Sequence, residues 1–329
     1  MRRLACLMCL PLLALLGACG GQDEPTDTAE PATSGTSPDP KTTNSLDDVE
    51  ISGGGTDPFE VSFASPLSVD STLTKVVEEG TGADVAENST VLLDYVGIDA
   101  SDGREFVSSW SPGATKTFPL VRGQVMTGLL DGLVGQQVGS QLLIAVPPAD
   151  GFGAQGNPQA GIQPTDSLLF AVQVRAVSDP DPLAEATGKA RELPAGVPTL
   201  ETDADGVPTG FAVSGQPPKA PTELGVHPVI EGSGPVVEKG DLLTVHYVGQ
   251  IFPDGDIFDE SWSQGQPATF QVGTGGLIPG WDQGLVGQRV GSRVVLVIPP
   301  DLGYGEQGQP PTIPGGASLI FAVDILGTA

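Results

Sequence analysis

Residues 284–292 read Gly-Leu-Val-Gly-Gln-Arg-Val-Gly-Ser, and residues 132–140 read Gly-Leu-Val-Gly-Gln-Gln-Val-Gly-Ser. Eight of the nine agree, the exception being Gln137 against Arg289. Working outward, Tyr95-Val96-Gly97 returns as Tyr247-Val248-Gly249, and Ser109-Trp110-Ser111 as Ser261-Trp262-Ser263, each time 152 positions later. A period of this size is too long for a solenoid unit and suits a duplicated globular domain. In a chain of 329 residues it implies two domains, in line with a length prior of roughly 100–200 residues per domain. Differences between the copies then locate the chemistry.

The apolar pattern within each copy has mostly period two. Val91, Leu93 and Tyr95 share one strand face, as do Leu243, Val245 and Tyr247, because alternate side chains of a strand point the same way. The runs 141–146 and 293–298 predict buried strands that stop at Pro-Pro, and 168–174 and 319–326 predict closing strands. Only one short helix per copy is predicted, around 280–285 in the second. Pro279 suits its first turn, Trp281 and Leu285 share a face, and Gly287 suits its end. The expected fold class is α+β: two domains, each an antiparallel β-sheet wrapped on one short α-helix. The expected organisation is a signal peptide over 1–18, a lipidated Cys and disordered tether over 19–56, domains over 57–178 and 200–329, and a linker over 179–199. The tether is made of Asp, Glu, Thr, Ser, Pro and Gly with almost nothing apolar, a composition that cannot bury a core, and the linker is rich in Asp, Pro, Ala and Glu.

A formal net charge of −27 argues against nucleic acid, which would need a basic stripe, and against electrostatic adhesion to anionic lipid. Arg2 and Arg3 precede an apolar run, Leu4 to Leu16, too short to span a bilayer as a helix. It ends in Leu16-Gly17-Ala18-Cys19-Gly20, which resembles the lipobox of bacterial lipoproteins. That resemblance implies diacylation of Cys19 and a lipid anchor at the outer face of the cytoplasmic membrane. An ordinary secretory signal cut nearby is the alternative. Cys6 and Cys9 lie inside the signal, so no disulfide framework is expected. With two His in the whole chain, neither a His-based metal site nor a cofactor is expected.

The second copy reads His246-Tyr247-Val248-Gly249, then Phe258-Asp259-Glu260-Ser261, then 277–285 as Leu-Ile-Pro-Gly-Trp-Asp-Gln-Gly-Leu, then Tyr304-Gly305 and finally Phe321. This order of motifs resembles the FKBP-type peptidyl-prolyl cis-trans isomerases over nearly all of residues 223–329. The whole chain resembles tandem FKBP lipoproteins of actinobacteria. The resemblance implies a proline pocket of Tyr247, Phe258, Asp259, Leu277, Ile278, Trp281, Tyr304, Ile313 and Phe321. Trp281 would be its floor, and Tyr247, Phe258 and Phe321 its aromatic walls. The Ile278 N–H and the Tyr304 hydroxyl would hold the substrate's carbonyls, and Asp259 would be the acidic wall residue. Ala268 and Gln309 depart from the family's rim, where an aromatic and a His are frequent. Taken singly, Trp281, Phe258 and Phe321 also fit the core of a small β domain, and Asp259 a turn. His246 faces away from Tyr247 along its strand and is not expected to take part.

Such a site needs no nucleophile, metal or base. An X–Pro bond turns slowly because its amide resonance must be broken, a barrier of about 18–20 kcal/mol. The planar amide is more dipolar than the twisted one, so an apolar pocket that strips its water favours the twisted state. The first copy keeps Tyr95, Phe106 and Phe170, with Val125 and Met126 at the positions of Leu277 and Ile278. However, Val107 replaces the acid, Leu129 the tryptophan and Phe152 the tyrosine, and 159–161 lengthen the following loop. A weak or inactive first site is expected. The expected function is isomerisation of X–Pro bonds in exported proteins, mainly by the second domain. The alternative is a non-catalytic chaperone or proline-ligand binding lipoprotein. Expected partners are proline-containing unfolded or exported polypeptides and macrolide inhibitors of the FKBP type, acting on a monomer. A transporter's solute-binding lipoprotein is disfavoured, because its α/β lobes need several long helices.

Overall fold

The computed structural model describes residues 41–329 except 113, 115 and 180. The expected signal peptide, Cys19 and the tether up to residue 40 lie outside the described residues. No helix among the described residues is long and apolar enough to cross a membrane.

Both copies are antiparallel sheets with one short α-helix each. In the first, the strands lie in the order Leu73–Glu78, Gln141–Val146, Leu168–Val177, Thr90–Asp99 and Glu105–Ser108, and Thr117–Pro119 also pairs with Thr90–Asp99. In the second, the order is Lys189–Ala190, Gly225–Glu231, Arg293–Ile298, Leu319–Thr328, Leu242–Ile251 and Ile257–Glu260, and Ala268–Gln271 also pairs with Leu242–Ile251. Alternation gives each sheet two apolar faces. The inner face of the first packs Leu93, Tyr95, Ile144, Phe170 and Val172 on helix α1, Thr127–Leu133, through Leu130 and Leu133. In the second copy, helix α2, Pro279–Leu285, seats Trp281 and Leu285, both fully buried, against the corresponding face.

A β-hairpin absent from the sequence reading covers the outer face of each sheet. In the first copy Glu50–Gly54 pairs with Asp57–Ser62, and Leu46, Val49 and Phe59 pack on Val96, Ile98, Leu143 and Leu169. In the second, Thr199–Thr202 pairs with Pro208–Ala212, and Phe211 packs on Val248, Val295, Val297 and Ile320, flanked by Leu193, Val197 and Leu200. Phe59 and Phe211 are each 4% exposed and stand 152 positions apart, so the hairpin belongs to the duplicated unit. Burying one such ring stabilises by about 1.5–3 kcal/mol.

These hairpins change two boundaries. The stretch expected as a disordered tether up to residue 56 is built into the first domain from Lys41 onward, where Lys41–Thr42 pairs in parallel with Leu67–Ser68. The stretch expected as a linker over 179–199 is held by the second domain. The Leu183 N–H donates to the Leu326 carbonyl (3.0 Å) and the Arg191 N–H to that of Val229 (2.8 Å). Lys189–Ala190 extends the sheet alongside Gly225–Glu231. The unpaired backbone groups of an edge strand accept an added strand whatever its side chains, and a few apolar residues suffice once a sheet face exists to receive them.

Candidate active site

Two adjacent strands and one helix build the site. Asp259 lies opposite Gly249 in the strand register, and its Oδ2 accepts a hydrogen bond from the Tyr247 hydroxyl at 2.7 Å. Gly249 has to be glycine: a Cβ there would come within 2.6 Å of Phe321 Cε1 and 2.9 Å of Phe258 Cε2. Its absence lets both rings lean over the strand. Trp281 enters from α2 and meets Tyr247, Phe321 and Phe270 edge-on, with centroids 5.4, 5.3 and 5.7 Å away. Phe258 in turn stands edge-on to Phe321 at 5.5 Å. Edge-to-face contacts of this kind add to plain burial. Tyr247, Trp281, Ile313 and Phe321 are buried, whereas Phe258, Asp259, Leu277, Ile278 and Tyr304 are half-buried. The base of the site is therefore closed and its rim open to a ligand.

Of the nine implied residues, direct contacts join Tyr247, Phe258, Asp259, Trp281 and Phe321. Leu277 and Ile278 lead into α2, where the Trp281 N–H donates to the Ile278 carbonyl (2.9 Å). The Ile278 N–H itself is used by no group among the described residues. Tyr304 and Ile313 lie between the last two strands, and Gln309 there exchanges backbone hydrogen bonds with Ile313. Sequence reasoning missed Phe270, which closes the ring cluster against Trp281 and Tyr247. The signal was available, since Phe118 precedes it by the same 152 positions. Trp281 Nε1 is buried with no partner among the described residues.

His246 stays outside the site, as alternation predicts. Its ring stacks on Trp262 (5.2 Å, 18°), and its Nδ1 lies 2.9 Å from Ser261 Oγ. Burial pushes this imidazole below its ordinary value, while Asp324 and Glu260 pull the other way.

The first copy breaks the ring cluster in two. Tyr95 meets Phe118 at 5.4 Å, and Phe106 meets Phe170 and Phe152 at 5.8 and 6.2 Å. Half-buried Leu129 stands between, where the second copy has its indole. Val107 supplies no acceptor for a neighbouring phenol, and burial pushes the Tyr95 hydroxyl above its ordinary value. Val125 and Met126, both half-buried, lead into α1 as expected. Asn157 pairs with Ile162 where Gln309 pairs with Ile313, so the loop is one residue longer. Gly161 in it lies against the Arg104 guanidinium.

Sheet, helix and ring-lined pocket together define one class of small α+β domain, present twice in this chain. The sequence matches the FKBP-type peptidyl-prolyl cis-trans isomerases at residues 82–175 and 234–326, more than half of its length, and the chain belongs to that family. The peptidyl-prolyl cis-trans isomerase FKBP2 of Mus musculus is 47% identical over 115 residues, which cover 35% of this chain and 81% of that one. The FK506-binding protein of Streptomyces anulatus is 45% identical over 107 residues, covering 32% and 86%. The crystal structure of the three FKBP domains of wheat FKBP73 aligns at 20% identity and a TM-score of 0.33, over 78% of this chain and 94% of that one. The protein is an FKBP-type peptidyl-prolyl cis-trans isomerase with two such domains.

Proposed function

We propose that the second domain carries nearly all of the turnover. In this reading the enzyme acts on X–Pro bonds of exported polypeptides, held by lipid at Cys19 to the outer face of the cytoplasmic membrane. The observation that carries the first part is the Tyr247–Asp259 hydrogen bond set beside Trp281, since Val107 and Leu129 remove both features from the first copy. The buried rings receive the proline, the unused Ile278 N–H and the Tyr304 hydroxyl hold the flanking carbonyls, and exclusion of water favours the twisted amide. The export reading is supported by Arg2 and Arg3, the apolar run after them and the small residues before Cys19.

The test of the division of labour compares residues 41–178 with residues 181–329 in a peptide isomerisation assay. The second fragment is expected to account for more than nine-tenths of the activity, and equal activity per molecule would overturn the reading. Acceleration of a proline-limited refolding phase separates an isomerase from a pure binder, which would delay it. A macrolide of the kind that names the Streptomyces relative is expected to change Trp281 fluorescence, with no change left in Trp281→Leu. Cys19→Ser is expected to release the protein from membranes.

The first pocket, in which Val107, Leu129 and Phe152 put hydrocarbon in place of the acid, the indole and the phenol, supports a second role: holding apolar or proline-containing segments without turnover.

A further inference from the structure

Leu277 and Ile278 sit at the end of a loop that has little of its own to hold it in place. Residues 272–278 read Val-Gly-Thr-Gly-Gly-Leu-Ile, and a segment with three glycines has much conformational freedom to lose. Backbone hydrogen bonds fix its two ends: the Val272 N–H donates to the Asp241 carbonyl (3.0 Å), and the Trp281 N–H to that of Ile278 (2.9 Å). Its middle is held by one side chain. Asp282 Oδ1 accepts from the Gly273 N–H and Oδ2 from the Gly275 N–H, both at 2.7 Å. The two glycines have φ of +78° and +85°, so the loop curls around the carboxylate in the left-handed region open to glycine. Charge-assisted bonds of this length are the strong kind.

Asp282 follows Trp281 directly, so one helical turn seats both the base and the rim of the site. At the same position the first copy has Leu130, a buried core residue. Its loop is held by other means: the Gln124 N–H donates to the Val121 carbonyl (2.9 Å), and Arg122 pairs with Glu87 and Asp131. The divergence between the copies thus extends to a residue behind the pocket.

We infer that Asp282 is a positioning residue of the isomerase site. By tying down Gly273 and Gly275 it orders the loop before substrate arrives and presents the Ile278 N–H to the peptide carbonyl. This rests on the second domain being the catalytic one. A loop ordered in advance lowers the cost of binding in the ground state and the transition state alike, so its loss appears in KM rather than kcat.

The test uses the full chain and a proline-containing peptide, with Asp282→Ala, Asp282→Asn and, as a reference for the site itself, Trp281→Leu. Asp282→Ala is expected to raise KM about tenfold while kcat stays within about twofold. Asp282→Asn, which keeps one acceptor, is expected to fall between Ala and wild type. Faster amide exchange at Gly273 and Gly275 is expected in the alanine variant. A merely structural role would lower kcat at unchanged KM, in proportion to the folded fraction, and that result would overturn the inference. So would unchanged kinetics in Asp282→Ala alongside lost activity in Trp281→Leu. Full activity in Trp281→Leu would remove the site reading and this inference with it.

Discussion

The Tyr247 hydroxyl reaches the Asp259 carboxylate at 2.7 Å although Asp259 lies opposite Gly249 in the register, so the bond runs diagonally across the strand pair. A diagonal neighbour is within reach of a long aromatic side chain, and the bond fixes phenol and carboxylate relative to each other beside Trp281. Tyr247→Phe and Asp259→Leu are each expected to cost about tenfold in kcat/KM. The double variant should be little worse than the worse single, a coupling of about 1.4 kcal/mol. Additive losses in a double-mutant cycle would mean that the two groups act separately.

The first copy invites the reverse experiment. Val107→Asp, Leu129→Trp and Phe152→Tyr together are expected to give measurable turnover in residues 41–178, and each change alone very little, because the three line one volume. Leu129 is only half-buried, which leaves room for an indole, but overpacking costs roughly 1–3 kcal/mol, so an unfolding curve must accompany the assay. With Leu130 in place of Asp282, the restored site should bind weakly and show a high KM. A folded triple variant that neither turns over nor binds macrolide would shift the blame to the longer loop at 159–161.

A buried ion pair distinguishes the outer faces of the two sheets. Arg293 donates to both oxygens of Asp324 (2.6 and 2.8 Å) and to the Gly206 carbonyl in the hairpin turn (2.9 Å). The paired strand positions in the first copy are Gln141 and Gln173. Arg293→Gln or Asp324→Gln alone leaves an uncompensated buried charge and is expected to destabilise by about 3 kcal/mol. Both changes together should return to within about 1 kcal/mol of wild type, as read from urea midpoints. A double variant as unstable as the sum of the singles would refute the comparison.

Acid should act in opposite directions through the shifted groups of the two domains. Burial holds both His227 and His246, in the second domain, below the ordinary imidazole value of 6.5. Below that value the unfolded chain binds more protons than the folded one, so the second domain loses stability as the pH falls through 6.5 toward the folded values. In the first domain burial raises Asp166 above 3.8, with Asp99 and Asp102 adding to the rise and the Gln163 N–H opposing it. There the folded form binds more protons. That contribution is fully present below the unfolded value and is lost as the pH rises through the folded one. Unfolding followed at Trp281 should flatten on the acid side in His246→Gln, and Asp166→Asn should raise the first domain's midpoint at pH 7. Identical pH profiles for wild type and variants would contradict these assignments.

The strand frame that positions the candidate site was legible because its apolar pattern repeats at constant spacing. The strands Gln141–Val146 and Arg293–Ile298 fall at the residues the apolar runs predicted, and α2 begins one residue earlier than expected, at Pro279. The two hairpins were not legible. Each buries only one side, so apolar residues such as Leu46, Val49 and Phe59 are scattered among Gly, Asp and Thr, and the composition resembles linker. Phe270 was overlooked because it sits alone in a four-residue strand. Asp282 escaped notice because its partners are backbone N–H groups, which leave no trace in a side-chain motif.

The capture of residues 183–199 by the second domain leaves very little chain between the two units. The Ser178 N–H donates to the Thr90 carbonyl (2.8 Å) in the first domain, and the Leu183 N–H to that of Leu326 (3.0 Å) in the second. Only positions 179–182, Asp-Pro-Asp-Pro, join these anchors, a reach of at most about 18 Å. Where both pockets engage one polypeptide, a tether this short sets an effective concentration in the millimolar range, independent of how dilute the enzyme is. For a substrate with several prolines, two such pockets on one short tether would act as a bivalent site.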